Sequence, residues 1–121
     1  MTSLTALTAD KLHEIAHLVR DLALDTPEDL FDLDTSIGDV ISTCAFFVLA
    51  SPERYQDSPF FADVALTERL DAAWRRFEFG LRVARWQAAF GEPEKTRVKM
   101  WREDALLLSI AVRFVAEKES R

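Results

Sequence analysis

The fold of this chain is decided by residues 58–91, which read SPFFADVALTERLDAAWRRFEFGLRVARWQAAFG. Ser58 and Pro59 form a helix-entry signal, because serine is a preferred N-cap residue and proline is favoured at the first helical position. From there, apolar residues recur at helical spacing up to Gly91. The pattern predicts one long helix over residues 59–90.

The predicted helix carries apolar residues on two opposite faces. On a helical wheel of about 100° per residue, the first face is an ordinary core-facing stripe made of Leu66, Leu70, Ala73, Trp74, Phe77, Leu81, Ala84 and Ala88. The second face begins half-way along the helix, has the spacing four, three and four, and consists of Phe79, Val83, Trp86 and Phe90. Because exposed aromatic stripes mark contact sites, we predict that these four residues bind a partner.

A helix of this length does not fit inside a compact domain. At ~1.5 Å per residue it spans about 46 Å, whereas a compact chain of 121 residues has a diameter of about 35 Å. The helix therefore kinks at Gly80, where glycine weakens a helix interior, breaks near Thr67, or projects its second half into a dimer. The third alternative leads to the hypothesis of a homodimer.

Composition favours an all-α fold. The chain has 121 residues, of which 49% are hydrophobic, three are Gly and four are Pro. This is enough apolar material to bury a core, and too few turn-forming residues for a typical β protein. No hairpin signal or strand pair is recognised. The sequence therefore predicts a bundle of about four main helices plus short helical turns, in a single domain over residues 1–121.

Prolines and capping residues mark where the earlier helices begin. A first helix is expected over residues 9–24, and residues 26–29 open a short helical turn through Phe31. Residues 37–50 read IGDVISTCAFFVLA. Their β-branched and aromatic content is compatible with a buried strand, but fourteen residues between helix caps favour a helix.

The last helix is expected to open at Glu92-Pro93-Glu94 and to run to about Lys118. Its apolar residues cover most of the circumference, which predicts the most buried element of the fold. Asp104 falls on an apolar side of this helix. A buried acid needs a partner, and Arg85 is the predicted one; the alternative is an exposed Asp104.

The net charge and its distribution along the chain limit the kinds of molecule that the protein is expected to bind. The net charge of −6 disfavours nucleic acids and anionic membranes, because both require Lys and Arg to neutralise phosphates. Residues 1–63 carry twelve acids and three bases, a net of −9, whereas residues 64–121 carry nine acids and twelve bases, a net of +3. These opposite charges are expected to pair within a subunit or across a dimer, and the acidic surface is available to a basic protein partner.

Compartment signals indicate a cytoplasmic protein. The N-terminal residues lack the basic region and the uninterrupted apolar region of a signal peptide. The longest apolar run, residues 105–116, is too short for a bilayer span. The single cysteine, Cys44, has no internal disulfide partner and lies in an apolar run, which favours a buried thiol in a reducing compartment.

One short motif carries a chemical signature. Residues 13–17 spell H-E-x-x-H, which resembles the zinc-binding motif of the zincin metalloproteases. The resemblance implies a zinc ion held by His13 and His17, a water molecule activated by Glu14, and a zinc-dependent hydrolase as the function. By spacing, Asp21 lies one helical turn further on and can supply a third, oxygen ligand.

Three hypotheses of function follow from these patterns. The leading one is a non-enzymatic helical protein-protein interaction module, of adaptor, inhibitor or immunity type, which needs no cofactor and forms a homodimer. The second is the zinc hydrolase, although Arg20 and Ala23 occupy the positions of the family's downstream Gly and His. The third is a helical bundle that binds a small apolar ligand, for which a cavity lined by Phe46, Phe77 or Trp101 is the expected sign.

Overall fold

The computed structural model describes residues 8–51, 53–91 and 97–119. Within these ranges it contains five helices and a two-stranded antiparallel sheet. In chain order the elements are α1 (Ala9–Asp25), β1 (Leu30–Asp34), α2 (Thr35–Ala50), α3 (Pro59–Ala62), α4 (Val64–Phe90), β2 (Arg97–Trp101) and α5 (Arg102–Glu119). The predicted fold class is confirmed, since four main helices make up most of the structure and the sheet is small.

Three of the main helices begin at a residue whose side chain caps the helix. The Thr8 hydroxyl accepts a hydrogen bond from an amide in the first turn of α1. The Asp34 carboxylate accepts one from the Ser36 amide at 3.0 Å, and Asp63 accepts two from the first turn of α4. These caps satisfy amides that have no partner inside the helix. Residues 37–50, for which a buried strand was the alternative, lie within α2 and are therefore helical.

Removing the α2 cap is expected to reduce stability. Asp34→Ala should lower the free energy of unfolding by about 1 kcal/mol, whereas Asp34→Asn should keep most of the cap. Hydrogen bonds from the Ser36 amide and hydroxyl hold the pKa of Asp34 below its ordinary value of 3.8. The charge of the cap therefore contributes fully above the unfolded-state pKa, and this contribution is lost as the pH falls through the folded-state pKa.

Urea unfolding of the wild type and both variants, at neutral pH and at about pH 3, measures these effects. The alanine variant should be the less stable one at neutral pH, and the advantage of aspartate over asparagine should shrink in acid. Equal losses in the two variants at neutral pH would contradict a capping role for Asp34.

Two segments predicted to be helical form a small antiparallel ribbon instead. The helical turn predicted through Phe31 is wrong, because β1 begins at Leu30 and pairs with β2, with Leu30 opposite Trp101. The last helix begins only at Arg102, and its predicted start at residues 92–94 lies outside the described residues. Buried and exposed residues alternate along both strands, as in a sheet packed on one face. At five residues each, the strands are too short for this alternation to be recognised reliably.

The segment 59–90, predicted as one helix, is divided in two. It breaks at Asp63, whose extended backbone (φ −135°, ψ 107°) separates α3 from α4. The Thr67 hydroxyl, in the first turn of α4, donates to the Phe60 carbonyl of α3 and joins the two helices across the break. The break therefore lies one turn before Thr67, and α4 continues without interruption through Gly80.

The helices enclose one hydrophobic core. α5 contacts α1, α2 and α4, and nine of its residues are buried. α2 packs tightly on α4 at Gly38, where a Cβ atom would lie 2.9 Å from the Leu81 side chain and 3.1 Å from the Phe77 side chain. This contact fixes the face of α4 that points into the core, and therefore also the face that points away from it.

Candidate interaction surface

Four residues on the outer face of α4 form an exposed apolar surface, the α4 stripe, made of Phe79, Val83, Trp86 and Phe90. Their exposed fractions are 70%, 39%, 67% and 79%, respectively. The opposite face of the helix holds its buried residues, which are Leu70, Ala73, Phe77, Leu81 and Ala84. The helix is therefore apolar on two sides, and the described part of the chain covers only one of them.

The α4 stripe ends on a part of the helix that extends beyond the core. Ala84 is the last buried residue of α4, and none of residues 85–90, all of which the structure describes, is buried. The rings of Trp86 and Phe90 pack on each other with their centroids 5.3 Å apart. Within α4, which spans about 40 Å, the last six residues therefore continue past the last buried residue and carry the aromatic pair of Trp86 and Phe90.

A groove of about 570 Å³ opens between α4 and β2, beside the first residue of the α4 stripe. The strand packs against the helix at Gly80, where a Cβ atom would lie 3.4 Å from the Val98 side chain, an ordinary contact distance. The apolar lining of the groove consists of Leu30, Phe77, Phe79, Met100 and Trp101. Phe79 belongs to both features, so the groove and the α4 stripe form one continuous surface.

Two charged residues of the groove form a bidentate ion pair. Arg76 donates through Nε to Asp104 Oδ2 at 3.0 Å and through Nη2 to Asp104 Oδ1 at 2.7 Å. Asp104 is buried, and its hydrogen bonds raise the pKa of Arg76. The prediction that Arg85 pairs with Asp104 is wrong, because Arg85 pairs with Asp39 of α2. Arg76 and Arg85 are nine residues apart and so lie on opposite sides of the helix.

The opposite charges of the two halves of the chain meet within one subunit. Lys99 pairs with Asp32 across the ribbon at 3.7 Å, and Arg102 pairs with Asp29 at 3.4 Å. The ion pairs that join the two halves include Asp29–Arg102, Asp32–Lys99, Asp39–Arg85 and Asp57–Lys118. These pairs join β2, α4 and α5 to the acidic N-terminal half of the chain.

The residues expected to line a small-ligand cavity are only partly brought together. Phe77 and Trp101 both line the groove. Phe46 lies elsewhere, with its ring centroid 5.8 Å from that of Trp74, and Trp74 in turn donates a hydrogen bond to the Ser42 hydroxyl at 3.0 Å. Phe46 therefore belongs to a separate aromatic cluster between α2 and α4.

The H-E-x-x-H residues lie on the outside of α1. His17 and Asp21 are exposed and His13 is half-buried. Within the ranges that the structure describes, no group of three or more His, Cys, Asp or Glu residues is arranged to hold a metal ion. A shallow hollow beside His17 is lined by Arg20 and Arg113, whose positive charges disfavour a cation there. The structure thus places the three predicted ligands on one helix, and no other His, Cys, Asp or Glu among residues 8–51, 53–91 and 97–119 completes a metal site with them.

The single cysteine is buried away from reagents. Cys44 has no exposed surface within α2, and burial raises the pKa of its thiol to about 12. The thiolate is the reactive form of cysteine, and at such a pKa it is almost absent at neutral pH. Cys44 therefore acts as a small core residue.

Comparison of the chain with protein-family models, with curated proteins and with solved structures found no match. Among the described residues, no helix combines the length and the apolar character that a bilayer crossing requires. The α4 stripe and the groove are the features from which a function is proposed.

The sequence revealed the α4 stripe but not the groove. The four stripe residues share helical spacing within one element, and such spacing can be read directly from a sequence. The groove combines α4 with a strand that the sequence did not predict, so Lys99 and Met100 were not recognised as site residues. The signal that was available is the alternation of charged and apolar residues from Arg97 to Met100.

Proposed function

We propose that the protein is a non-enzymatic helical interaction module that forms a homodimer through the α4 stripe. The observation that supports this function is the exposure of the four stripe residues on a helix whose other side is buried in the core. Contiguous apolar patches on soluble proteins mark contact sites. Adaptor, inhibitor and immunity-type roles are all compatible with a module of this kind.

The spacing of the α4 stripe suits pairing with another helix. Steps of four, three and four residues put Phe79 and Trp86 at one core position of a heptad and Val83 and Phe90 at the other. The positions that flank this seam between Phe79 and Phe90 hold a single charged residue, Arg82. Two copies can therefore meet along the seam without facing rows of like charges.

The area of the α4 stripe is sufficient for a specific dimer. Aromatic side chains bury about 150–250 Å² each, and the three aromatic residues of the stripe are between 67% and 79% exposed. Together with Val83 they offer roughly 500 Å² per copy, and so roughly 1,000 Å² in a symmetric pair, which reaches the size of a specific interface.

Trp86→Glu is expected to convert the dimer into a monomer. The substitution replaces the largest residue of the α4 stripe by a charge in both copies, and central aromatic residues dominate interface energies. We expect the dissociation constant to rise at least about 100-fold. Sedimentation equilibrium at micromolar concentrations measures this change, and circular dichroism checks that the helices remain intact.

Leu24→Glu is the matched control. Leu24 is an apolar residue of α1 that is 63% exposed, and it lies outside the α4 stripe. Its substitution should leave the dissociation constant unchanged. A wild-type protein that sediments as a monomer at high micromolar concentration would overturn the proposed function, and so would an equal loss of association in the two variants.

A further inference from the structure

We propose that the two α4 helices of the dimer run antiparallel, and that Phe90 of each copy inserts into the groove of the other copy. This inference rests on the proposed homodimer and specifies its geometry. It assigns the groove between α4 and β2 as a binding site for an aromatic side chain of a second copy of this chain.

The two ends of the α4 stripe have different shapes. The Phe90 end lies on the part of the helix beyond Ala84, where the described helix has no buried residue, and Phe90 is the most exposed residue of the stripe. The Phe79 end borders the groove of about 570 Å³. A projecting aromatic residue and an apolar groove thus occupy opposite ends of one surface.

In an antiparallel dimer, the Phe90 end of each copy lies against the Phe79 end of the other copy, so this contact is made twice. When Val83 of one copy lies against Trp86 of the other, the same register places Phe90 against Phe79. The reason is that both pairs of positions are centred on the same point of the helix, between residues 84 and 85. The eleven helical steps from residue 79 to residue 90 span about 16 Å. The two-fold axis then repeats every contact, so each copy inserts one Phe90 and receives another.

The lining of the groove suits an aromatic ring. Phe79 and Trp101 of the groove are 70% and 49% exposed, whereas Phe77 and Met100 of the same lining are at most 3% exposed. An inserted ring therefore packs mainly on the two exposed aromatic side chains. Phenyl and thioether groups both make favourable contacts with aromatic rings. Arg75 and Lys99 of the same groove have side chains that are 71% and 73% exposed. Each can exchange its weak surface ion pair, with Asp71 or Asp32, for a position over the face of that ring.

A parallel pair would leave both grooves empty. Its two Phe90 residues would meet each other at the projecting ends, about 16 Å from the groove along the helix. Trp101, which is 49% exposed, would then take no part in the interface. The antiparallel pair covers Trp101 and the α4 stripe together, and it therefore buries more apolar surface.

Spin labels attached at Glu68→Cys distinguish the two orientations. Glu68 is an exposed residue of α4 outside the α4 stripe and the groove, and the native Cys44 is fully buried and does not compete for the label. In the antiparallel register the two labels lie about 50 Å apart along the helices, whereas in a parallel pair they lie about 10 Å apart. We expect the long distance. The short distance in an intact dimer would overturn this inference and leave the homodimer standing.

Trp101→Ala provides a second test, with Phe46→Ala as its matched control. The two residues have similar exposed fractions, 49% and 47%, but only Trp101 lines the groove. We expect the Trp101 substitution to raise the dissociation constant of the dimer about tenfold and the Phe46 substitution to leave it unchanged. A Trp101 variant that dimerises like the wild type would overturn the inference and favour a small apolar ligand for the groove. A monomeric wild type would overturn the homodimer itself.

Discussion

Arg76→Ala is expected to lower the free energy of unfolding by about 3 kcal/mol. The substitution removes both hydrogen bonds to Asp104 and leaves this buried carboxylate without its cationic partner. Breaking a buried ion pair from one side costs ~3–5 kcal/mol. The lower end of this range applies because the Arg76 side chain is 55% exposed, so water replaces part of the lost contact.

Arg75→Ala is the matched control for this prediction, and urea unfolding measures both variants. Arg75 neighbours Arg76 in sequence but pairs with Asp71 of the same helix, at 2.9 Å, and its side chain is 71% exposed. A surface pair of this kind contributes about 0.5 kcal/mol or less. The double variant Arg76→Met with Asp104→Leu should recover most of the lost stability, because an apolar pair of similar volume leaves no charge buried. Equal, small losses in the two alanine variants would contradict the structural role of Arg76.

Gly38→Val is expected to have a similarly large effect, a loss of about 3 kcal/mol. A Cβ atom at this position would lie 2.9 Å from Leu81, 3.1 Å from Phe77 and 3.3 Å from Val98. All three neighbours are buried in the core and have little room to move, so the added methyl groups force α2 away from α4. Gly38→Ala should cost only about 1 kcal/mol, since the higher helix propensity of alanine offsets part of the overpacking.

Gly80→Ala tests the same steric argument at a position where alanine is expected to raise the stability instead of lowering it. A Cβ atom there would lie 3.4 Å from Val98 and 4.0 Å from the Lys99 carbonyl oxygen, which are ordinary contact distances. Alanine should therefore raise the stability by about 0.5–1 kcal/mol through its helix propensity. Thermal or urea unfolding compares the two alanine variants. If both variants destabilised the protein equally, steric contact at Gly38 would not be the cause.

Local signals in the sequence predicted most of the fold correctly. The helix formed by residues 37–50 follows from its capped start and its length, and the face of α4 that carries Trp86 follows from helical spacing. The sequence predicts a break near Thr67 only as one of three alternatives, and it does not locate the break at Asp63, because Ser58 and Pro59 give a strong start signal five residues earlier. A second start signal was present, since Asp63 is itself a good N-cap residue, but two start signals this close together are easily read as one.

The features that the sequence did not predict depend on contacts between distant residues. Trp101 pairs with Leu30 only because the ribbon brings β1 and β2 together, and five residues of alternating burial are a weak signal. The partner of Asp104 depends on how α4 is rotated against α5, which the sequence does not specify. The α4 stripe was recognised for the opposite reason, because all four of its residues lie within one helix.

The long sequence separation between the two strands of the ribbon has a consequence for the order of folding. Leu30 and Trp101 are about 70 residues apart, and closing a loop of this length carries an entropic cost before any contact forms. α4 needs only neighbouring residues to form, so we expect a newly made chain to display Phe79 and Trp86 before the groove beside β2 exists. During this interval the net charge of −6 keeps unfinished copies apart through mutual repulsion.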